Sequence, residues 1–132
     1  MSQENVEVVR RMYEAFNRGE AAAARELLHP EAELHQPPEA PDTDSYYGRD
    51  HFERGFALFT EEFDEPRFEP EEATEIDGCV IIRVRVSGRG RTSGVETANE
   101  WFHAWTVRQG KPHRCFVRTT RAAALKAVGL EP

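Results

Sequence analysis

The chain has 132 residues, of which 39% are hydrophobic and 31% are charged, and its formal net charge at pH 7 is −7. This length and composition predict one folded domain over residues 1–132. The acidic balance argues against a nucleic-acid partner. With no long apolar run and no signal-peptide pattern, we expect no membrane partner and a cytoplasmic location. The two cysteines lack metal-ligand spacing and should be free thiols.

The helical period occurs three times in the first half of the chain. A first helix is predicted from Ser2 to near Gly19, a second over residues 20–28, ending before Pro30, and a third from Arg49. A short strand is predicted over residues 31–36, and a loop over residues 37–48 that is long enough to form a lid or a rim. The apolar stripes of the first and third helices are Val6, Val9, Tyr13 and Phe16, and Phe52, Phe56, Phe59 and Phe63.

The second half of the chain changes to strand patterns. EATEI and CVIIRVRVS flank Asp77-Gly78, a residue pair suited to a two-residue hairpin turn, and valines and isoleucines alternate in the second strand. The pattern then predicts a Gly-rich loop, a long strand, a turn at RQGK and a last strand. A short final helix should follow, capped by Thr119 or Thr120. Helices gathered on one face of a curved antiparallel sheet give an α+β fold, which leaves room for a cavity between the layers.

The long strand contains the most informative pattern in the chain. Trp101, His103 and Trp105 alternate and therefore share one sheet face. Glu100 and Arg108 belong to the opposite face, which is more easily left near water, so we predict that the indoles and the imidazole point inward. A desolvated His103 would be neutral at pH 7 and could act as an acid/base group. The alternative is a core histidine that hydrogen-bonds a backbone carbonyl or a tyrosine, with the two indoles packed in the core or at a dimer interface.

Several segments in this order resemble the SnoaL-like polyketide cyclases, within the superfamily of nuclear transport factor 2 and ketosteroid isomerase. The resemblance covers nearly the whole chain. It implies a cone-shaped α+β barrel, with three helices of the first half on the concave sheet face, that forms a homodimer through the outer face. It also implies an apolar pocket for a small hydrophobic ligand. The segments are VVRRMYEAFNRGE, LLHPEAELH, YYGRDHFERGF, SGRGRTSGVE, HAWTVRQGK and RAAALKAVGL.

Two positions depart from this family pattern. Where ketosteroid isomerase-like relatives place a basic aspartate before a proline, this chain has Gln36 before Pro37, and where many SnoaL-like chains have Asp-Arg it has Thr120-Arg121. An amide cannot accept a proton at neutral pH. Of Gln36 and its neighbour His35, only one can face inward, and we predict that it is Gln36.

The predicted function is that of a cofactor-free isomerase, cyclase or hydratase acting on a small hydrophobic carbonyl compound, with a non-catalytic ligand-binding or accessory module as the alternative. His103 is the predicted acid/base group, and Tyr13 or Arg118 would hold a developing oxyanion. Tyr13 could instead only pack, and Arg118 could instead pair with Glu100. No metal motif is present, so no metal or cofactor is expected. The predicted substrate-binding residues are Trp101, Trp105, Phe16, Gln36, Phe56 and Phe59.

Overall fold

The computed structural model describes residues 2–37 and 45–132, and for residues 2, 3, 58 and 59 it describes the backbone only. Its helices are α1 (Ser2–Asn17), α2 (Ala21–Leu27), α3 (Arg49–Thr60) and α4 (Arg121–Ala127). Its strands are β1 (Glu33–His35), β2 (Ser45–Tyr47), β3 (Phe63–Ile76), β4 (Cys79–Gly90), β5 (Glu96–Arg108) and β6 (Lys111–Arg118). None of the described helices is long and apolar enough to cross a membrane.

The strands form one six-stranded sheet in the order β2-β1-β6-β5-β4-β3. All neighbours pair antiparallel except β1 and β6, which run parallel. The sheet curls without closing, and α3 contacts β1 and β2 near one edge and β3 at the other. Helix α1 packs on the same face, and α2 joins this layer through α1. The predicted α+β fold class is therefore confirmed.

Two cores lie on the two sides of the sheet. The larger core joins α1 and α3 to the inner face of β4, whose Val80, Ile82 and Val84 are completely buried, as the alternation predicts. The smaller core lies under α4, where Leu125 packs against Ile81 and Ala104. Helix α4 begins at a Thr120 cap, whose side-chain oxygen accepts a hydrogen bond from the backbone N–H of Ala123 at 3.1 Å.

The hairpin turns follow the local sequence. Asp77 and Gly78 have φ angles of 50° and 81°, and Gln109 and Gly110 have φ angles of 54° and 75°. Positive φ at both central positions is the condition for a type I′ turn, which matches the twist of the flanking strands. The predicted turns at Asp77-Gly78 and at RQGK are thus confirmed.

Two strand assignments need correction. Residues 45–47 were expected in a loop but form β2, because they pair with β1; residues 38–44 of that expected loop lie outside the described part of the chain. The first strand of the hairpin was expected only from Glu72, but β3 starts at Phe63 and contains Pro66 and Pro70. An edge strand tolerates proline, and register shifts occur at Asp64/Arg67 and Pro70/Glu72.

Candidate functional site

The inner face of β5 lines a cavity of about 670 Å³ between the sheet and the helices. Trp101, His103 and Trp105 all line it, whereas Phe102 and Ala104 belong to the core on the opposite face. The inward orientation predicted from the alternation is therefore observed. The common orientation of the two indole rings and the imidazole follows from the extended backbone of β5, because side chains two residues apart share a sheet face.

A hydrogen-bonded trio joins helix α1 to this strand. The Tyr13 hydroxyl oxygen lies 2.5 Å from Nδ1 of His103 and accepts a hydrogen bond from Nε1 of Trp105 at 3.0 Å. All three residues are buried. Tyr13 was expected to offer its hydroxyl to the cavity. Its hydroxyl is instead engaged behind His103, and Tyr13 is not among the described residues that line the cavity.

Burial dominates the electrostatics of this trio. Desolvation lowers the pKa of His103 from 6.5 to about 3, so its imidazole is neutral at pH 7. Desolvation also raises the pKa of Tyr13 well above its ordinary value, so the phenol keeps its proton. The thiol of Cys115, which lines the cavity nearby, likewise has a raised pKa because of burial and forms part of the wall rather than a nucleophile.

Nε2 is the atom of His103 that is open to the cavity. His103 lines the cavity, and Nε2 makes no hydrogen bond with any described residue. Nε2 is also not one of the buried polar side-chain atoms left unpaired in the described chain. An unpaired polar atom that is not sealed off by protein must face space that water or a ligand can occupy. Nε2 is therefore available to a molecule in the cavity.

Aromatic rings form the helical wall of the cavity. Phe56 and Phe68 line it directly, with ring centroids 4.6 Å apart. Phe16, a predicted substrate-binding residue, packs edge-on against both rings from behind and is absent from the described lining. Phe52 is buried beside Trp105, with ring centroids 5.8 Å apart. The side chain of Phe59, also predicted to bind substrate, lies outside the described part of the structure.

The short strand β1 places Gln36 rather than His35 at the cavity. Gln36 is among the lining residues, as predicted. The His35 ring stacks on Phe116 at 4.6 Å and approaches Glu33 and Ser45 at 2.9 Å each. His35 is therefore engaged away from the cavity. It cannot take the role of the aspartate that ketosteroid isomerase-like relatives have at the position of Gln36.

Arg118 lies on the opposite sheet face from His103, which corrects its expected role as an oxyanion group in the pocket. It pairs with Phe102, and its guanidinium lies 5.6 Å from the centroid of the Phe116 ring. The cause is a register shift between Trp105 and Val107. Continuing the register of the Arg108–Lys111 pair from the turn would have set Arg118 opposite Trp101, on the inner face. One inserted residue moves every later side chain of the strand to the opposite sheet face.

Several lining residues carried no clear signal in the sequence. Tyr46 belongs to the unexpected strand β2. Leu34 and Cys115 lie opposite each other in the β1–β6 pairing, and Val117 lies opposite His103 in the β5–β6 pairing. The alternation of Thr97, Asn99 and Trp101 could have indicated that the cavity continues along β5 toward a polar end. Glu61, Glu62 and Ser87 also line the cavity. The described lining contains no lysine or arginine.

Two further histidines are buried away from the cavity. Nδ1 of His29 accepts a hydrogen bond from the backbone N–H of Glu31 at 3.0 Å, and its Nε2 lies 3.1 Å from the side-chain oxygen of Gln109. The His113 ring is 5.0 Å from that of His29. Within residues 2–37 and 45–132, no cluster of three or more histidine, cysteine or acidic side chains could hold a metal ion.

Comparison with known proteins places this geometry in a family. The model of the SnoaL-like domain matches residues 9–114. A search of curated proteins finds no significant match.

Solved structures share the fold. A Jannaschia protein assigned to the SnoaL-like polyketide cyclases has a TM-score of 0.78 at 18% identity, covering 100% of this chain and 96% of its own. An NTF2-like protein from Burkholderia thailandensis has a TM-score of 0.75 at 25% identity, covering 94% and 96%. TerC, co-crystallised with polyporic acid, has a TM-score of 0.76 at 19% identity, covering 93% and 96%. The fold thus fits the cone-shaped α+β architecture, and the chain belongs to the SnoaL-like domain family.

Proposed function

We propose that the protein binds a small, mostly apolar carbonyl compound in the cavity and catalyses a cofactor-free cyclase, isomerase or hydratase type of reaction at that carbonyl group. The observation that carries the proposal is Nε2 of His103, a polar atom open to a cavity walled by Trp101, Trp105 and Phe56. A cavity of about 670 Å³ accommodates a molecule of several rings. The polyketide cyclase relatives and the SnoaL-like family support the reaction class.

The role of His103 in this proposal differs from the acid/base role expected from the sequence. A group whose pKa is about 3 is a weak proton acceptor at neutral pH. A neutral imidazole can still hydrogen-bond the carbonyl oxygen and stabilise the negative charge that develops there as an enol-like species forms. His103 is therefore proposed to polarise the substrate rather than to remove its proton.

The substrate class follows from the missing base. Among the described lining residues, the only carboxylates are Glu61 and Glu62, which are exposed at the junction of α3 and β3, whereas Gln36 is an amide. The substrate we propose therefore has an acidic carbon, flanked by the carbonyl and by an aromatic ring or a second carbonyl. The proton on this carbon is transferred to water. The described lining has no cation to pair with a carboxylate or phosphate, which favours an uncharged substrate.

The test uses 2-tetralone, whose C1 lies between a carbonyl and an aromatic ring. Exchange of its C1 hydrogens for deuterium is followed by NMR in D₂O with and without protein. We expect wild-type protein to accelerate exchange and His103→Phe to lose most of the acceleration, with His51→Gln, a change at an exposed histidine, as the matched control. Equal rates with wild-type protein, with His103→Phe and with buffer alone would contradict the catalytic proposal.

The second candidate function is a non-catalytic ligand-binding or accessory module. The observation that favours it is Gln36, an amide at the cavity where the related isomerases carry their basic aspartate. The two functions differ in one result. A binding module would change the fluorescence of Trp101 and Trp105 when 2-tetralone is added, without any acceleration of exchange.

We also propose that the protein forms a homodimer through the outer face of the sheet and works in the cytoplasm. On that face, Phe102 and Phe116 are only half-buried, and Arg83 pairs with Glu72 at 3.0 Å within the chain. Both cysteines are free thiols, as expected of a reducing compartment. Light scattering at micromolar concentration should report twice the 15.1 kDa chain mass, and a particle of one chain mass would contradict the dimer.

A further inference from the structure

The Tyr13 hydroxyl determines which nitrogen of His103 carries the proton. An indole N–H can only donate, so at 3.0 Å the hydroxyl oxygen of Tyr13 accepts from Trp105. The hydroxyl has one hydrogen of its own, and Nδ1 of His103 lies 2.5 Å away. Tyr13 is 1% exposed, so water does not offer an alternative partner on the protein surface.

Only one arrangement pairs every polar hydrogen that lies between these three residues and leaves the one remaining hydrogen facing the cavity. If Nδ1 carried the imidazole proton, the Tyr13 oxygen would accept two hydrogen bonds and its own buried hydrogen would have no described partner. Buried polar groups in proteins are almost always paired. If Tyr13 donates to Nδ1, all three groups are paired, and the imidazole hydrogen of the neutral ring must sit on Nε2.

We propose that Trp105 and Tyr13 are positioning residues that keep the proton of His103 on Nε2, so that the cavity recognises an uncharged hydrogen-bond acceptor such as a ketone or quinone oxygen. This inference rests on the proposed function in one respect, namely that the ligand binds next to Nε2. It adds that Nε2 is a fixed donor. The chain of donors runs in one direction, from Trp105 to Tyr13 to His103 to ligand, and each hydrogen bond polarises the next.

The fixed donor makes the cavity selective between molecules of the same shape. A rigid tricyclic ketone can accept the hydrogen of Nε2, whereas the same ring system with a methylene in place of the carbonyl cannot. The methylene compound would cover Nε2–H without offering it an acceptor. The aromatic walls beside His103 contact both compounds alike, and variants of Tyr13 and Trp105 separate the contribution of Nε2 from that of the other polar lining residues.

The tautomer itself is measured without any ligand. Protein with ¹⁵N-labelled histidine is studied by long-range ¹H–¹⁵N correlation at pH 7, with the His103 signals identified by their loss in His103→Gln. We expect a single tautomer with hydrogen on Nε2 in the wild type and a mixture of both tautomers in Tyr13→Phe. A wild-type signal with hydrogen on Nδ1, or an unchanged signal in a folded Tyr13→Phe variant, would overturn the inference.

The ligand readout uses 9-fluorenone and fluorene, which share one ring system and differ in the carbonyl group, with binding followed by tryptophan fluorescence. We expect wild-type protein to bind 9-fluorenone about tenfold more tightly than fluorene, the value of one hydrogen bond. In Tyr13→Phe the ratio should fall to about two, and in Trp105→Phe to an intermediate value. The control is Tyr47→Phe, at a tyrosine that is 59% exposed, which should keep the full ratio.

The two experiments separate the inference from the function on which it rests. The expected tautomer with no preference for 9-fluorenone would contradict the proposed carbonyl site and leave the positioning roles of Tyr13 and Trp105 supported. A preference for 9-fluorenone with hydrogen on Nδ1 would support a carbonyl site but overturn the inference.

Discussion

Nδ1 of His103 lies 2.5 Å from the hydroxyl oxygen of Tyr13, although 90 positions separate these residues in the chain. The contact joins the first helix to the centre of the sheet, and it is sealed from solvent on the helix side. It therefore serves both the packing of the domain and the chemistry of the cavity.

Replacing Tyr13 with phenylalanine tests how much the Tyr13–His103 contact contributes to stability. The ring remains, but Nδ1 of His103 and Nε1 of Trp105 both lose their partner. Each buried polar group left unpaired costs about 1 to 3 kcal/mol, so we expect the free energy of unfolding to fall by about 3 kcal/mol. Urea denaturation measures the change. Tyr47→Phe should leave stability unchanged, and an equally stable Tyr13→Phe variant would show that the hydroxyl is not needed.

Acid should destabilise the protein through His103. Its pKa falls from 6.5 to about 3 on folding, because burial disfavours the imidazolium form. Between these values the unfolded chain binds a proton that the folded chain does not. This contribution to stability is therefore complete above pH 6.5 and decreases as the pH falls toward 3, by ~1.4 kcal/mol per pH unit.

The measurement compares denaturation curves at several pH values between 7 and 4. Other groups contribute in the same direction: burial lowers the pKa of His113, and at the acid end of the range, near and below 3.8, the pKa of Asp50 is lowered by its hydrogen bond to Arg25. The difference between wild type and His103→Gln removes these common terms. The variant should lose less stability per pH unit than the wild type. Parallel profiles for wild type and His103→Gln would contradict the depressed pKa.

Phe52 and Phe56 should respond differently to truncation, although both belong to the stripe of α3. Phe52 is 4% exposed and packs in the core, so Phe52→Ala should cost about 3 to 5 kcal/mol. Phe56 is half-buried and faces existing empty space, so Phe56→Ala should cost about half as much while weakening the binding of 9-fluorenone. Denaturation and tryptophan fluorescence give the two readouts. A reversed order of stabilities would show that α3 is rotated.

Gly55 in α3 is expected to resist substitution despite its helical position. Alanine at a helix interior normally stabilises by about 1 kcal/mol relative to glycine. A Cβ atom at Gly55 would, however, lie 2.8 Å from Cγ of Tyr46, near the stem of that side chain, so the ring cannot swing clear. We expect Gly55→Ala to lose about 1 to 3 kcal/mol from overpacking. The double variant with Tyr46→Val should recover the loss, and its failure to do so would exclude the clash as the cause.

Asn17 holds the end of α1 to the edge strand β3. Its side-chain nitrogen donates to the carbonyl of Phe68 at 2.7 Å, and its oxygen accepts from the Phe68 N–H at 2.9 Å. Asn17→Ala should cost about 2 kcal/mol and speed hydrogen exchange at the Phe68 amide. Arg18→Ala, at an exposed neighbour, is the control. Unchanged protection at Phe68 would contradict this role.

The sequence by itself determined most local features of the domain. The helical period located α1 and α3, the Asp77-Gly78 pair located a hairpin turn, and the alternation of Trp101, His103 and Trp105 assigned them to one face. These features depend on interactions between residues close in the chain, where backbone geometry fixes which side chains share a face. The SnoaL-like resemblance supplied the arrangement of the layers.

The tertiary structure decided how distant segments meet. The register shift in the β5–β6 pairing turns Arg118 away from the cavity. The pairing of β2 with β1 brings Tyr46 to the cavity. The hydroxyl of Tyr13 faces His103 because α1 packs across the sheet at one position and angle. Strand register and helix packing are set by the fit of many side chains at once, so no local pattern in the sequence records them.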